Sequence, residues 1–156
     1  MITINIAQSD DLVQVRTLFS EYAARIDSSS SVDLDREIAN LPSEYAPPSG
    51  CVLIAKEGGD AVGCVAVRQM SGDICEMKRL YVRPAFREKG VGRKLSESII
   101  GEARARGYRI MKLNVPSSMK EALRLCESLG FRKTTPYGLN SVSGARFMLL
   151  DLTAAP

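Results

Sequence analysis

The chain of 156 residues has no histidine and no tryptophan, and its four cysteines form no CxxC pair. Without histidines or paired cysteines, a metal site is not expected. No histidine is present to activate a nucleophilic serine or cysteine. Aromatic residues make up only 6% of the chain, so few side chains are available for stacking on nucleic-acid bases. We therefore expect neither a metal ion nor a nucleic-acid partner.

Long apolar runs are also missing. No stretch approaches the roughly 20 apolar residues that span a membrane, and the opening MITINIAQSDD has no basic leader followed by an apolar run. Three of the cysteines, Cys51, Cys64 and Cys75, lie in apolar runs, where cysteine usually acts as a small hydrophobic residue. We expect a cytoplasmic protein with no membrane partner.

The composition present is that of an ordinary globular protein, with 45% apolar and 25% charged residues. We expect one domain over residues 1–156. Hydrophobic periodicity predicts the element order β-α-α-β-β-β-α-β-α-β-β. The predicted strands are 2–7, 51–57, 61–70, 74–82, 109–115, 131–137 and 145–152. The predicted helices run from Ser9, as N-cap, to about residue 26, over 33–41, over 90–106, and from a Ser118–Glu121 capping box to Gly130.

Two supersecondary units follow from this order. Short glycine-containing turns join the strands 51–57, 61–70 and 74–82, which predicts an antiparallel meander. The strand 74–82, the helix 90–106 and the strand 109–115 form one β-α-β crossover with parallel strands. Ligands of such units bind beyond the carboxyl ends of the strands, at the helix N-terminus. The stretch REKGVGRKL lies there, at residues 87–95.

Positive charge is concentrated around that stretch. The segment 78–94 has seven basic residues and one acid, whereas the rest of the chain has 14 basic and 17 acidic residues. Arg93 and Lys94 are unfavourable in a first helical turn unless an anion binds. Gly90 and Gly92 allow a phosphate to approach the main chain closely. The stretch fits neither a P-loop nor GxGxxG. Phosphate binding is favoured over a solvated turn.

Several stretches resemble one known family. The segment REKGVG, Arg87 to Gly92, resembles the acyl-CoA pyrophosphate loop of the GNAT N-acetyltransferase superfamily. CEMKRLYV resembles the fourth strand of that family, and EALRLCESLGF resembles its A-x-x-L-Y-x-x-x-G-F segment. LPSEYAPPSG and PYGLNSVSGARFMLLDL further resemble a subgroup of small bacterial members. The resemblance implies an α/β (α+β) fold, with a mixed, mostly antiparallel, twisted sheet of six or seven strands flanked by about four helices.

The resemblance also implies an activity. It is the transfer of an acetyl group from acetyl-CoA directly to a primary amine of a small molecule or protein, by a monomer or a homodimer. The implied cofactor residues are Leu80, Tyr81, Val82, Arg87, Glu88, Lys89, Gly90, Val91, Gly92, Arg93 and Asn114. The amides of residues 88–93 would hold the pyrophosphate, and the main chain of residues 80–82 would pair with the pantetheine arm. The amide region of Val82 would polarise the thioester carbonyl. Asn114 would face the same cleft.

Glu76 is the candidate general base. A carboxylate inside an otherwise apolar strand is costly unless it is used or paired, and a protonated amine must lose a proton before it attacks. The structural alternative is an ion pair with Lys78, two residues further along the same face.

Cys126 stands where the family has a tyrosine thought to protonate the leaving thiolate. It is either a proton donor or, as we favour, a packing residue on the apolar face of its helix. A nucleophilic Cys126 is the least favoured alternative, because no histidine activates it. Tyr81 or Tyr137 could also serve as the acid, or the thiolate could leave unprotonated. The missing tyrosine leaves a second function open, an acyl-CoA-binding module without catalysis.

Overall fold

Seven strands form one sheet in the order β1-β2-β3-β4-β5-β7-β6 in the computed structural model, which describes residues 1–25, 31–137 and 145–153. The strands are Ile2–Ile6 (β1), Cys51–Glu57 (β2), Asp60–Ser71 (β3), Ile74–Val82 (β4), Ile110–Val115 (β5), Arg132–Lys133 (β6) and Arg146–Asp151 (β7). The helices in the described ranges are Leu12–Arg25 (α1), Ser31–Ala39 (α2), Val91–Ala105 (α3) and Lys120–Ser128 (α4). Among these described strands, only β4 and β5 pair in parallel. The predicted mixed, mostly antiparallel sheet and the predicted element order are confirmed.

Apolar clusters cover both faces of the sheet. On one face, Leu95 and Ile99 of α3 pack with Val65 of β3 and Met111 of β5. On the other face, residues of α1, including Leu18 and Phe19, pack against β2 and β3. Residues 51–55 and 61–67 are all buried, because a strand covered on both sides needs an almost continuous apolar run. Each large side chain removed from water contributes about 1.5–3 kcal/mol.

The two central strands separate part of the way along their length. Within the described ranges, β4 pairs with β5 only from Ile74 opposite Ile110 to Glu76 opposite Lys112. Beyond this point β4 continues along β3 as far as Val82, and β5 continues along β7 as far as Val115. A gap therefore opens between residues 77–82 and 113–115.

A bulge lies in β4 beside this gap. The register of β4 against β3 shifts between Cys64 and Ala66, and Arg79 has φ +62°. A positive φ is costly for a residue other than glycine and persists only where surrounding contacts hold it. The Arg79 guanidinium donates to both carboxylate oxygens of Glu37 in α2, at 2.8 and 3.0 Å, and lies 5.5 Å from the centre of the Tyr22 ring. These contacts attach the bulge to α1 and α2.

Several local predictions were wrong. Gln8, rather than Ser9, is the N-cap, and it forms a capping box with Asp11 ahead of α1. The predicted Ser118–Glu121 box does not form, because α4 begins after Met119, which makes no side-chain cap. The last predicted strands are shorter, above all β6, which is limited to its two pairs with β7. Residue 26, the predicted end of the first helix, lies outside the described residues.

Candidate active site

The first turn of α3 lies against the end of β4, beside the gap. A Cβ atom built on Gly92 would lie 3.8 Å from Cγ2 of Val82 and 3.6 Å from Cδ2 of Leu125 in α4. The gap, the helix N-terminus and α4 therefore meet at one place. This is the edge at which the β-α-β unit was expected to bind a ligand.

Main-chain geometry shapes the loop that leads into α3. Gly90 is the N-cap, with φ +79°, in the left-handed region that glycine adopts without strain. Glu88 also has a positive φ, +64°. The Gly90 carbonyl accepts the amide of Lys94 at 3.1 Å, so the amides of residues 91–93 precede the first intrahelical hydrogen bond. They are available to an anion, and the helix dipole favours one.

The basic side chains of the loop have different surroundings. Nε of Arg87 donates to the Val82 carbonyl at 2.8 Å, and its guanidinium lies 5.8 Å from the centre of the Tyr81 ring. Arg93 donates to the Ser128 hydroxyl in α4. Nζ of Lys89 lies 5.5 Å from the centre of the Phe86 ring. Arg87 thus fixes the end of β4, and Arg93 links α3 to α4.

Alternating main-chain direction decides which groups of β4 face the gap. The Arg83 amide donates to the Val62 carbonyl of β3 at 2.8 Å, and Tyr81 is paired with Cys64 of β3. Because main-chain polar groups of successive strand residues point to alternate sides, those of Leu80 and Val82 point toward the gap. Those of Tyr81 point toward β3.

The Tyr81 side chain is held on the α1 face of the sheet. Its hydroxyl donates to Oε1 of Glu21 at 3.1 Å, and Arg83 donates to the same carboxylate at 3.0 and 2.8 Å. Burial, followed by the hydrogen bond to Glu21, raises the pKa of Tyr81. These contacts make Tyr81 a poor proton donor to a group in the gap.

Glu76 lies at the inner end of the gap and is only 4% exposed. Its Oε1 accepts Nε of Arg68 at 2.8 Å, and its Oε2 accepts the Tyr137 hydroxyl at 3.3 Å. The alternative pairing with Lys78 was wrong, since Lys78 bonds to Glu44 at 3.2 Å. Arg68 stands directly opposite Glu76 in the β3–β4 register, and such neighbours are closer than residues two apart on one strand.

Tyr137 closes this cluster from the β6 side. Its ring packs against Phe147 with centroids 5.1 Å apart, and Nζ of Lys112 lies 5.4 Å from the ring centre. Burial raises the pKa of Tyr137, and Glu76 raises it further, whereas Asn114 acts in the opposite direction. Asn114, at the end of β5, therefore lies near Tyr137 at the border of the cluster around Glu76.

Most of the chain matches one known protein family. Residues 12–131 match the acetyltransferase (GNAT) family. The chain belongs to this family. The match includes the gap, the glycine loop, Glu76 and α4.

Proteins that align with this GNAT chain over most of their length support the same family. An uncharacterised N-acetyltransferase of Schizosaccharomyces pombe is 38% identical over 146 residues, covering 92% of this chain and 90% of that protein. The L-methionine sulfoximine/L-methionine sulfone acetyltransferase of Salmonella typhimurium is 30% identical over 158 residues, covering 97% and 91%. The yncA protein of Salmonella typhimurium, solved with its cofactor acetyl-CoA, has a TM-score of 0.79 and 28% identity, covering 100% and 98%. The chain is an N-acetyltransferase with the GNAT fold.

Cys126, the other candidate catalytic residue, is buried in this GNAT chain. Cys126 is 1% exposed and belongs to the apolar cluster beneath α3 and α4. Burial raises the pKa of its thiol to about 11. Cys75 and Met77 lie in the same cluster, so Glu76, between them on β4, points to the opposite face of the sheet. The two candidate catalytic side chains are therefore separated by the sheet.

The side chains of Arg68 and Glu44 near Glu76, and that of Glu37 beside the bulge, were not predicted from the sequence. Arg68 ends an otherwise apolar run, which is a weak signal, and nothing in the sequence links Glu44 or Glu37 to β4. The structure shows them bonded to Arg68, Lys78 and Arg79. Among the described residues, no group of three His, Cys, Asp or Glu side chains is placed to hold a metal ion, and no helix is both long enough and apolar enough to cross a membrane.

Proposed function

We propose that this N-acetyltransferase moves the acetyl group of acetyl-CoA directly to a primary amine. The observation that carries the proposal is the gap between β4 and β5, which exposes the main chain of β4 and ends at the glycine-capped start of α3. An extended ligand arm can pair with β4 as an added strand, and a pyrophosphate can bind the free amides of α3. The solved neighbour that carries acetyl-CoA as its cofactor supports the same cofactor here.

The proposed cofactor site follows this geometry. The loop residues Arg87, Glu88, Lys89, Gly90, Val91, Gly92 and Arg93 receive the pyrophosphate, with their main-chain amides as the main donors. The segment Leu80, Tyr81 and Val82 receives the pantetheine arm, and the outward amides of Leu80 and Val82 are the candidate donors to the thioester carbonyl. Asn114 borders the arm from the β5 side.

Glu76 is the proposed base. A lysine-like amine has a pKa of about 10.4 and is protonated at neutral pH, so its proton must be removed before the nitrogen attacks the thioester carbon. Glu76 lies where β4 and β5 part, and its buried carboxylate is held in place by Arg68 and Tyr137. A water molecule can carry the proton from the amine to this carboxylate. The new C–N bond then forms as the C–S bond breaks.

The leaving thiolate does not need Cys126. Burial raises the pKa of the Cys126 thiol to about 11, so this thiol is a weak proton donor. We therefore propose Cys126 as a packing residue, with the coenzyme thiolate leaving unprotonated and taking its proton from solvent. The same raised pKa disfavours an acyl-enzyme on Cys126, because the thiolate is the nucleophilic form.

The relatives also support a catalytic role and one kind of acceptor. Relatives named N-acetyltransferases favour an enzyme over an acyl-CoA-binding module without catalysis. The acceptor named for the Salmonella relative is a small amino-acid derivative, so we propose a small-molecule amine as the acceptor.

We further propose that the chain is a single domain that acts as a monomer or a homodimer. We place it in the cytoplasm, where the four free cysteines would stay reduced.

The test is release of coenzyme A thiol from acetyl-CoA in the presence of a panel of primary amines. Amine-dependent thiol release, with the acetyl group recovered on the amine, is expected. A mass spectrum of enzyme quenched during turnover should show no added acetyl group. A stoichiometric acetyl adduct would exclude direct transfer, and binding of acetyl-CoA without release by any amine would favour the non-catalytic module.

A further inference from the structure

One carboxylate lies between two cations next to Glu76. Oε1 of Glu44 lies 3.2 Å from Nζ of Lys78, and Oε2 of Glu44 lies 3.7 Å from Nε of Arg68. The same Arg68 nitrogen bonds to Glu76 at 2.8 Å. A single carboxylate group thus contacts two positive side chains, of which one also holds the proposed base.

The two cations and Glu44 differ in how they are supported. Arg68 and Lys78 project from neighbouring strands of the central sheet, and their side chains are only 25% and 22% exposed. Glu44 belongs to a three-residue 3₁₀ turn, Ser43–Tyr45, and its side chain is 40% exposed. The two cations are therefore more buried than Glu44, whose side chain is the most exposed of the three.

The contact of Glu44 with Arg68 is also weaker than the contact of Arg68 with Glu76. At 3.7 Å, its contact with Arg68 is too long for a hydrogen bond, whereas the Arg68–Glu76 contact at 2.8 Å is a short charge-assisted one. Partly exposed ion pairs usually contribute little to the stability of a fold. Another carboxylate could replace Glu44 at little cost, since the charge balance around Arg68 and Lys78 would be unchanged.

We propose that Glu44 occupies the place of the acceptor's own carboxylate, and that the acceptor is an α-amino acid held by Arg68 and Lys78. This inference rests on the proposed function, because it takes Glu76 as the base. It adds a carboxylate-binding site for the acceptor and an internal competitor for that site.

The position of the amine follows from Arg68. Its Nε lies 2.8 Å from Oε1 of Glu76 and 3.7 Å from Oε2 of Glu44. The distance between these two oxygens therefore cannot exceed the sum of the two contacts. In an α-amino acid, the nitrogen and the carboxylate are attached to the same carbon. A carboxylate in the place of Glu44 therefore brings the α-amine within reach of Glu76, directly or through one water.

The test compares acceptors that differ only in the carboxylate. The standard L-α-amino acids, their carboxamides and the corresponding decarboxylated amines are assayed by thiol release from acetyl-CoA. For every amino acid that reacts, we expect kcat/KM at least about tenfold higher than for its carboxamide or amine, as for loss of one charged contact. Carboxamides or amines that react as well as the acids would overturn the inference and leave the proposed function intact.

Two variants separate the competitor from the binding residues. Glu44→Gln should lower KM for the amino acid several-fold at unchanged kcat and unchanged KM for acetyl-CoA, because the internal competitor is removed. Glu57→Gln, an exposed acid at the far end of β2, should change neither value. Lys78→Met should raise KM for the amino acid and leave that for its carboxamide unchanged. A higher KM in Glu44→Gln, or equal losses for acid and carboxamide in Lys78→Met, would overturn the proposal.

The failure of the inference and that of the proposed function can be distinguished. If other primary amines release thiol and no amino acid does, the inference is wrong and the proposed function stands. If no amine of any kind releases thiol from enzyme that binds acetyl-CoA, the proposed function fails and the inference fails with it.

Discussion

The two sides of β4 are built in different ways. On the side of the gap, the groups offered to a ligand belong to the main chain, in the outer half of β4 and the first turn of α3. On the α1 and α2 side, charged side chains from distant parts of the chain meet, as in the pairs Lys78–Glu44 and Arg79–Glu37. The first side suits a ligand that is the same for all members of a family, and the second can change with the acceptor.

This difference has a physical basis. Main-chain donors keep their positions when side chains are substituted, provided that the strand and the helix N-terminus remain. Side-chain ion pairs depend on each residue separately, and losing one partner leaves a buried charge uncompensated. Substitutions on the main-chain side should therefore act by blocking space, and substitutions on the side-chain side by removing charge.

The largest effect is expected from Gly92→Glu. A long acidic side chain would fill the space beside Val82 and Leu125 and place negative charge where the pyrophosphate is expected. Acetyl-CoA at a hundredfold its dissociation constant stabilises a protein by about 2.7 kcal/mol, and this gain should disappear. A thermal-shift titration measures it.

Gly101→Glu is the matched control, because a Cβ atom built on Gly101, also in α3, meets nothing within 4 Å. It should keep the full response to acetyl-CoA. A wild-type protein without any response would remove the cofactor from the proposal.

The next largest effect is expected at Glu76, on the α1 and α2 side of β4. Glu76→Gln keeps the shape of the buried side chain and removes its basicity. Turnover should fall by roughly a hundredfold, within the usual range for loss of a general base, while acetyl-CoA binds as before. The rate should also peak at higher pH, since more of the amine is then already neutral. Steady-state rates across pH, with Asp73→Asn as an exposed acid control, measure both. Full turnover with a lower Tm would make Glu76 only the partner of Arg68.

The same contrast explains how much could be predicted from sequence. The order of elements, the meander and the glycine loop follow from patterns within short segments, such as Gly90 before an apolar helical face, whereas the architecture of the whole sheet was implied by the family resemblance. Cross-strand partners depend on register, which a short segment does not specify, and so Lys78 was paired with Glu76 in place of Arg68. The bulge at Arg79 gave no signal, because neither glycine nor asparagine marks its positive φ.

A smaller effect is expected at Cys126, which belongs to neither side of the contrast. If the thiol only fills space, Cys126→Ala should keep most of the activity and lower stability by about 1 kcal/mol, typical of a small truncation in a core. Denaturant unfolding measures the stability, and initial rates with saturating acetyl-CoA measure the activity. Collapse of the rate with intact acetyl-CoA binding would instead identify Cys126 as the proton donor.

The smallest effect is expected at Glu21, a side chain that bonds to residues at the end of β4. Glu21 accepts hydrogen bonds from Tyr81 and Arg83, and the Arg83 hydrogen bond is the main reason that the pKa of Glu21 is lowered. A lowered pKa in the folded state stabilises the protein at pH values above the unfolded pKa of about 4.3. This contribution is lost as the pH falls through the folded pKa.

A partly exposed pair contributes under about 1 kcal/mol, so Glu21→Gln should lower Tm by about 1–3 °C at pH 7. The difference from wild type should shrink as the pH falls below 4.3, and the response to acetyl-CoA at pH 7 should be unchanged. A weakened response would show that the main chain of β4 depends on this ion pair, which would break the contrast between the two sides.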